Sequence, residues 1–424
     1  MKIEDFSDLR SKVKNYFNGN EELSEVFEKC FFNTLDTTCK FENDGSVFVL
    51  TGDIPAMWLR DSSAQVMQYL YFLDDSVVRA LFKGVLKRQF QMICIDPYAN
   101  AFKCKEDDWG QWDGLVKSNY LPKIVWERKF EVDSLCYPLS LIWAYYKKTN
   151  DASVFDELFL QAFDIILETF EKERKHSERS EYFFFRKGAR KVEDVGKSDP
   201  EGEKGLIWSG FRPSDDECMY HYHIPDNMFA VSVLTKLGEI FKETLNDCPR
   251  AERCLCLAKE LKELIECYGI VELDGKKIYV SETDCLGNYH INDDANIPSL
   301  LSIPYLEYPF IDKEIYANTR KLILSKRNEY YYEGKILKGI GSPHTPQNRV
   351  WPLSIAMQGI TSEDEKEIRD CLEMLIASTD GTGYMHEGVD VDDVSKYSRS
   401  WFAWANSMFA YFLLNKREII ERLV

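Results

Sequence analysis

The chain has 424 residues, 45% of them hydrophobic, which allows a large buried core; no Pro/Gly/Ser-rich linker divides it, so a single domain over residues 1–424 is expected. A formal net charge of −18 without a basic cluster excludes a nucleic-acid partner and favours a neutral or cationic substrate. The N-terminal "MKIEDFSDLRSKVKNYF" lacks a secretory apolar core and no apolar run nears the roughly 18 residues of a membrane helix, so a soluble, cytoplasmic protein with no membrane partner is expected.

Along the chain, apolar residues recur mostly at helical spacing. Leu23, Val26, Phe27 and Cys30 form one such face; Leu135, Leu139 and Trp143 another; Phe155 to Ile166, Phe229 to Phe241 and Ile368 to Ile376 follow. Strand-like alternation is confined to short stretches, "SVFVLTG" after the turn signal "NDG" and "KKIYVSE" after "LDG". The pattern predicts a mostly α protein, helical hairpins arranged as an α/α toroid, with small β-hairpins in the loops. Twelve cysteines without CxxC spacing, Cys30, Cys94, Cys136 and Cys371 among them, read as reduced core thiols.

Between the helical segments lie polar and aromatic loops: 51–65, 96–102, 125–138, 209–227, 293–308, 339–346 and 381–388. A rigid scaffold presents chemistry on such loops, and their regular spacing predicts that they meet at one end of a ring. Several chemistries are missing from them. His221 and His223 are the one close histidine pair, without HExxH spacing or an evident third ligand. There is no GxSxG or SxxK serine motif and no GxGxxG or GxxxxGK[ST] phosphate loop.

What remains is carboxylates, arginine and tryptophan, the residue set of glycoside hydrolysis, in which a protonated carboxyl serves the leaving oxygen and a second carboxylate activates water or attacks carbon. "SGFRPSDDECMYHYHIPDN" sets Asp215, Asp216 and Glu217 beside Arg212. One reading is a helix N-terminus, capped by Ser214 or Asp215 with acids in its first turn. The other is a turn from which one aspartate enters a cleft while its neighbour holds sugar hydroxyls or Arg212. An ordinary Asp, pKa about 3.9, is protonated only on the order of 0.3% of the time at pH 6.5, and raising it by about 2.5 pH units costs about 3.4 kcal/mol. Crowded anions and burial supply a shift of that size, so the inward acid is expected to stay protonated. Glu387, between Gly383 and Gly388, is the candidate second carboxylate. Trp58, Arg60 and Asp61 read either as a structural ion pair or as a sugar-gripping fork beside an indole floor.

The strings "TGDIPAMWLRDS", "SGFRPSDD", "DDANIPSLLSIPYLEY", "GIGSPHTP" and "GTGYMHEG" resemble, in order and over nearly the whole chain, the blocks of glycoside hydrolase family 125, the bacterial exo-α-1,6-mannosidases. The resemblance implies an (α/α)6 barrel, release of a terminal non-reducing mannose from an α-1,6-linked mannooligosaccharide or mannobiose, inversion at the anomeric carbon, and neither metal nor other cofactor. Host N-glycan, yeast mannan and imported disaccharide are all compatible substrate sources. By motif, the resemblance puts the general acid on Asp215, with Asp216 as fallback, and the base on Glu387. Arg60, Asp61, Arg212 and His344 would grip the terminal mannose, with Trp58, Trp126 and Trp208 as wall candidates. Another toroid hydrolase, acting on glucosides or uronides, and a non-catalytic sugar-binding protein use similar residues and remain as alternatives.

Overall fold

The structure, a computed structural model, describes residues 2–14, 16–108, 122–187 and 192–423. Among them are 14 α-helices and only short strands, and eleven of the helices fall into two populations distinguished by burial and by how they begin. Glu21–Asn33, Ser76–Ile95, Glu157–Glu173, Cys248–Tyr268, Lys313–Ile323 and Glu365–Ala377 bury one face each. Each is preceded by an Asn or Asp whose side chain caps the first turn: Asn20, Asp75, Asp156, Asp247, Asp312 and Asp364. In Glu157–Glu173, for example, Asp156 accepts from the Phe159 N–H at 2.9 Å, and Phe159, Ala162, Phe163, Ile166, Leu167 and Phe170 make the buried stripe.

The second population begins without any capping side chain: Leu59–Ala64, Val132–Thr149, Ile224–Glu243, Pro352–Ile360 and Ala403–Asn415. These helices are buried over much or all of their circumference, as expected of an inner layer; in Ala403–Asn415 every residue from Ala403 to Ala410 is buried. Residues 295–307 take a sixth inner place as turns rather than helix, fastened by Tyr137 Oη donating to the Ile297 carbonyl at 2.9 Å and Ser232 Oγ donating to that of Leu306 at 2.7 Å.

Inner and outer segments alternate along the chain. Ala403–Asn415, the last inner helix, packs on Glu21–Asn33 at the start and on 67–72, which closes the ring. This is an (α/α)6 barrel. The expected hairpins are present: Cys39–Phe41 pairs with Val47–Val49, and Ile270–Leu273 with Lys276–Tyr279. Asp274 and Gly275, both at positive φ (52° and 74°), make the two-residue turn that a DG pair favours. All twelve cysteines are free thiols, with Cys30, Cys136 and Cys371 buried. No helix among the described residues is long and apolar enough to cross a membrane.

The residue before each inner helix is Trp58, Glu131, His223, Trp351 or Phe402, so the N-terminal ends of these helices and the loops feeding them gather at one end of the barrel. A three-stranded sheet of Met57–Trp58, Ala101–Phe102 and Val125–Glu127 ties together the two loops that feed Leu59–Ala64 and Val132–Thr149.

Candidate active site

A narrow cavity, with about 380 Å³ of empty space including its open mouth, lies at that end. Trp58, Arg60, Asp61, Asp215, His344 and Glu387 all line it, brought from four separate loops. A second, more apolar cavity lies among Met67, Tyr71, Trp143, Tyr305 and Tyr411. Its one carboxylate, Glu307, is tied to Lys236 at 2.6 Å, so that cavity holds no acid and base pair.

Asp215 reaches the cavity on a tight hairpin rather than a helix. Phe211 and Glu217 bridge antiparallel, Arg212 N–H donates to the Asp216 carbonyl and Asp215 N–H to the Arg212 carbonyl, each at 2.8 Å. Pro213 has the φ that the first corner of such a turn requires, and Asp215 takes the following left-handed position at φ 62°, normally given to glycine. Neighbouring aspartates therefore diverge. Asp215 enters the cavity; Asp216 lies outside its lining, 3.6 Å from His344 Nδ1.

The Asp215 carboxylate meets Arg60, and Arg60 meets three more acids. Nη2 donates to Asp215 Oδ1 at 2.8 Å, Nη1 to Glu131 Oε2 at 2.7 Å and to Asp133 Oδ2 at 3.1 Å, while Nε lies 3.6 Å from Asp61 Oδ2. All but Asp215 are buried: its side chain keeps 22% exposure, that of Glu131 none. Lys129 Nζ donates to the Asp215 carbonyl, and Asn100 Nδ2 lies 3.4 Å from Asp215 Oδ1.

This environment reverses the expected protonation. Burial alone would raise Asp215, yet Arg60, Lys129 and a hydrogen bond from Glu131 outweigh it and hold the carboxyl at about 2. Crowding with anions does not keep Asp215 neutral, because the attraction of Arg60 and Lys129 outweighs burial and the neighbouring anions. The proton is displaced onto its neighbours: burial, with Arg60 opposing it, raises Glu131 far above the carboxylate range, Asp133 to about 7 and Asp61 to about 6.

Glu387 faces the same cavity, buried to 6% exposure. Ser398 Oγ donates to Oε2 at 2.8 Å, and Arg399 Nη1 lies 3.4 Å from Oε1 while its other nitrogens hold Asp53. The preceding His386 stacks on Tyr397 at 3.6 Å, and Val389 pairs with Val350, so the loop is braced on both sides of the carboxylate.

Some expected residues lie elsewhere. Arg212 is outside the cavity, in an adjoining cleft that shares Pro213, Ser214 and Asn296, with Glu282 at 3.6 Å and Asp294 at 4.0 Å. Trp208 is a core residue: its ring stacks on His176 at 3.7 Å and it has no exposed surface. Trp126 packs behind Trp58 with Ala56 and Ala101. The aromatic walls that accompany Trp58 are Trp351, Phe402 and Trp404. Glu131, Asp133, Lys129, Asn100 and Arg399 are further members of the site that the sequence did not single out.

A family model described as "Metal-independent alpha-mannosidase (GH125)" matches residues 20–414. The chain belongs to glycoside hydrolase family 125. It is 42% identical to a solved Streptococcus pneumoniae metal-independent α-mannosidase, in a non-productive complex with α-1,6-mannobiose, with a TM-score of 0.90 over 97% of this chain and 98% of that one. A curated relative from Schizosaccharomyces pombe, the meiotically up-regulated gene 157 protein, is 38% identical over 95% of this chain and 83% of its own length. A bacterial glucoamylase complexed with acarbose aligns at 13% identity and TM-score 0.61, over 95% of this chain and 57% of that one, a likeness of fold alone. As a family 125 member the protein is a glycoside hydrolase of the metal-independent α-mannosidase class. The positive charge at the centre of its carboxylate cluster is Arg60.

Proposed function

We propose that this family 125 enzyme releases terminal non-reducing mannose from α-1,6-linked mannooligosaccharides by a single displacement with inversion. The observation that carries the reading is that Asp215 and Glu387, from loops far apart in sequence, line one small cavity at the end of the barrel where the inner helices begin. Glu387 takes a proton from water as that oxygen bonds the anomeric carbon. Asp215 delivers a proton to the departing oxygen. The mannobiose held by the S. pneumoniae relative supports the linkage.

The remaining lining suits one neutral sugar ring. Trp58 and Trp404 each have a buried indole N–H without a partner among the described residues, and Asp61, Asn296 and His344 offer polar atoms to hydroxyls. Packing of the first outer helix on the last inner one supports one domain throughout. The test is proton NMR of α-1,6-mannobiose hydrolysis within its first seconds. Inversion gives β-mannose first; α-mannose as the first product would refute it.

A further inference from the structure

Four carboxyls, Asp61, Glu131, Asp133 and Asp215, surround one guanidinium in a largely buried site, with Lys129 as second cation beside Asp215. Two cations cannot balance four carboxylates of which three are buried, and desolvation makes an unpaired buried charge costly, so the cluster retains a proton. Hydrogen bonding narrows where to Glu131 and Asp133, each with one buried oxygen that no described donor reaches, and of the two it is Glu131 that adjoins Asp215. Glu131 Oε2 accepts from Arg60 and, at 3.2 Å, from Ser134 Oγ, whereas its Oε1 is buried and accepts from no donor among the described residues. Ionised, that oxygen would be an unsolvated lone charge. The carboxyls of Glu131 and Asp215 are held by the two terminal nitrogens of one guanidinium, so they adjoin each other, and a proton shared between them relieves their repulsion. Asp215 is the better anion of the pair, since Arg60 serves both but Lys129 stands beside Asp215, which alone of the two keeps contact with solvent.

We propose that Glu131 holds the shared proton in the free enzyme and passes it to Asp215 when substrate binds, so that Glu131 is a positioning residue for the acid and touches no sugar itself. This rests on the reading of Asp215 as the acid. Groups facing Glu131 are Arg60 from the Leu59–Ala64 helix, Asp215 and Cys218 from the hairpin and its exit, and Asp133 from its own helix; Lys129 acts through Asp215. Burial pushes Glu131 up while the cations hold Asp215 down, which agrees with the proton's place before substrate arrives. A bound sugar covers the exposed part of Asp215, and excluding water there disfavours its anion. The proton then crosses from Glu131 to Asp215, leaving Glu131 as a carboxylate on Arg60 and Ser134. Asp215 gives that proton to the leaving oxygen, which keeps the bonding pair of the broken C–O bond. Glu387 later returns its proton from water to solvent, and the pair regains one through Asp215, so one water is consumed with no net proton change.

The test is Glu131→Gln, whose amide keeps the shape of the protonated side chain but has no proton to release. With α-1,6-mannobiose, kcat/KM should fall about 100-fold or more, while α-mannosyl fluoride, whose leaving group needs little protonation, should stay within about 5-fold. The alkaline limb of the mannobiose pH profile should move to lower pH. Equal loss on both substrates with an unmoved limb would overturn the proposal. Asp215→Asn run alongside separates the two readings: if it hydrolyses mannobiose like the wild type, Asp215 is not the acid, whatever Glu131 does. Should E131Q not fold, wild-type protein ¹³C-labelled at the glutamate carboxyl decides. A protonated glutamate resonance near pH 7 supports the proposal, and its absence refutes it.

Discussion

Ser398 holds Glu387 twice: its carbonyl accepts the Glu387 N–H at 3.2 Å, and its hydroxyl donates to Glu387 Oε2 at 2.8 Å. One residue thus fixes both the backbone and the carboxylate of the proposed base. Ser398→Ala keeps the backbone bond and removes the second, a hydrogen bond to a charged group worth about 1.5–3 kcal/mol, along with the bond the hydroxyl accepts from the Gly388 N–H at 3.1 Å. Because a general base must point at its water, kcat for mannobiose should drop about 10- to 100-fold with KM nearly unchanged. Initial-rate kinetics check this; a rise in KM alone would mean that Ser398 serves binding.

The left-handed Asp215 predicts a conflict between stability and activity. At φ 62° a β-carbon costs about 1–2 kcal/mol that glycine avoids. Asp215→Ala and Asp215→Gly lose the same carboxylate and the same Arg60 contact, and differ at that carbon. The glycine variant should therefore be the more stable of the two by about 1 kcal/mol in urea unfolding, with both inactive on mannobiose. Equal stabilities would mean that the turn relaxes once the carboxylate is gone.

Much of the barrel was legible in the sequence, because one-sided helices carry their periodicity openly. The outer helices announce themselves twice, by an apolar stripe and by an Asn or Asp before the first turn, as at Asp156 and Asp364. Residues 295–307 lack such periodicity and are turns. The site was legible where a motif exposed it: Arg60, Asp61, Asp215, His344 and Glu387 share the cavity. It was not legible where a side chain works from an ordinary context. Glu131 and Asp133 lie in the loop 125–138 with nothing in the local sequence to single them out, and Trp404 and Arg399 lie outside every motif. Protonation was misjudged for a related reason: local sequence shows the neighbouring Asp216 and Glu217, whereas the cations that govern Asp215 come from residues 60 and 129, on other loops.

The tryptophans test that distinction between wall and core. Trp58 lines the cavity and Trp208 is sealed between His176 and His221, with ring centroids at 3.7 Å and 4.9 Å. Trp208→Ala should cost about 3–5 kcal/mol of folding stability, as truncation of a buried aromatic does, with kcat/KM per folded molecule changed much less. Trp58→Ala should instead lower kcat/KM for mannobiose about 10-fold or more. Chemical denaturation together with active-site-normalised kinetics distinguishes the two. Catalytic loss in Trp208→Ala equal to that in Trp58→Ala would return Trp208 to the site.

His344 ties the site to pH from its rim. The Asp216 carboxylate, 3.6 Å from Nδ1, raises it to about 9 against the cost of burial, with further attraction from Glu387 and Asp215. The folded state therefore binds a proton more tightly than the unfolded chain does, whose histidine titrates near 6.5. Stability from this contact is fully present below about pH 6.5 and is lost as pH rises through about 9. With the imidazole 45% exposed, solvent screening limits it to on the order of 1 kcal/mol. In urea unfolding, wild type should exceed His344→Gln by that margin at about pH 6, and the two should converge by about pH 10. A gap that is constant across this range would mean that His344 stabilises the fold by packing, not by charge.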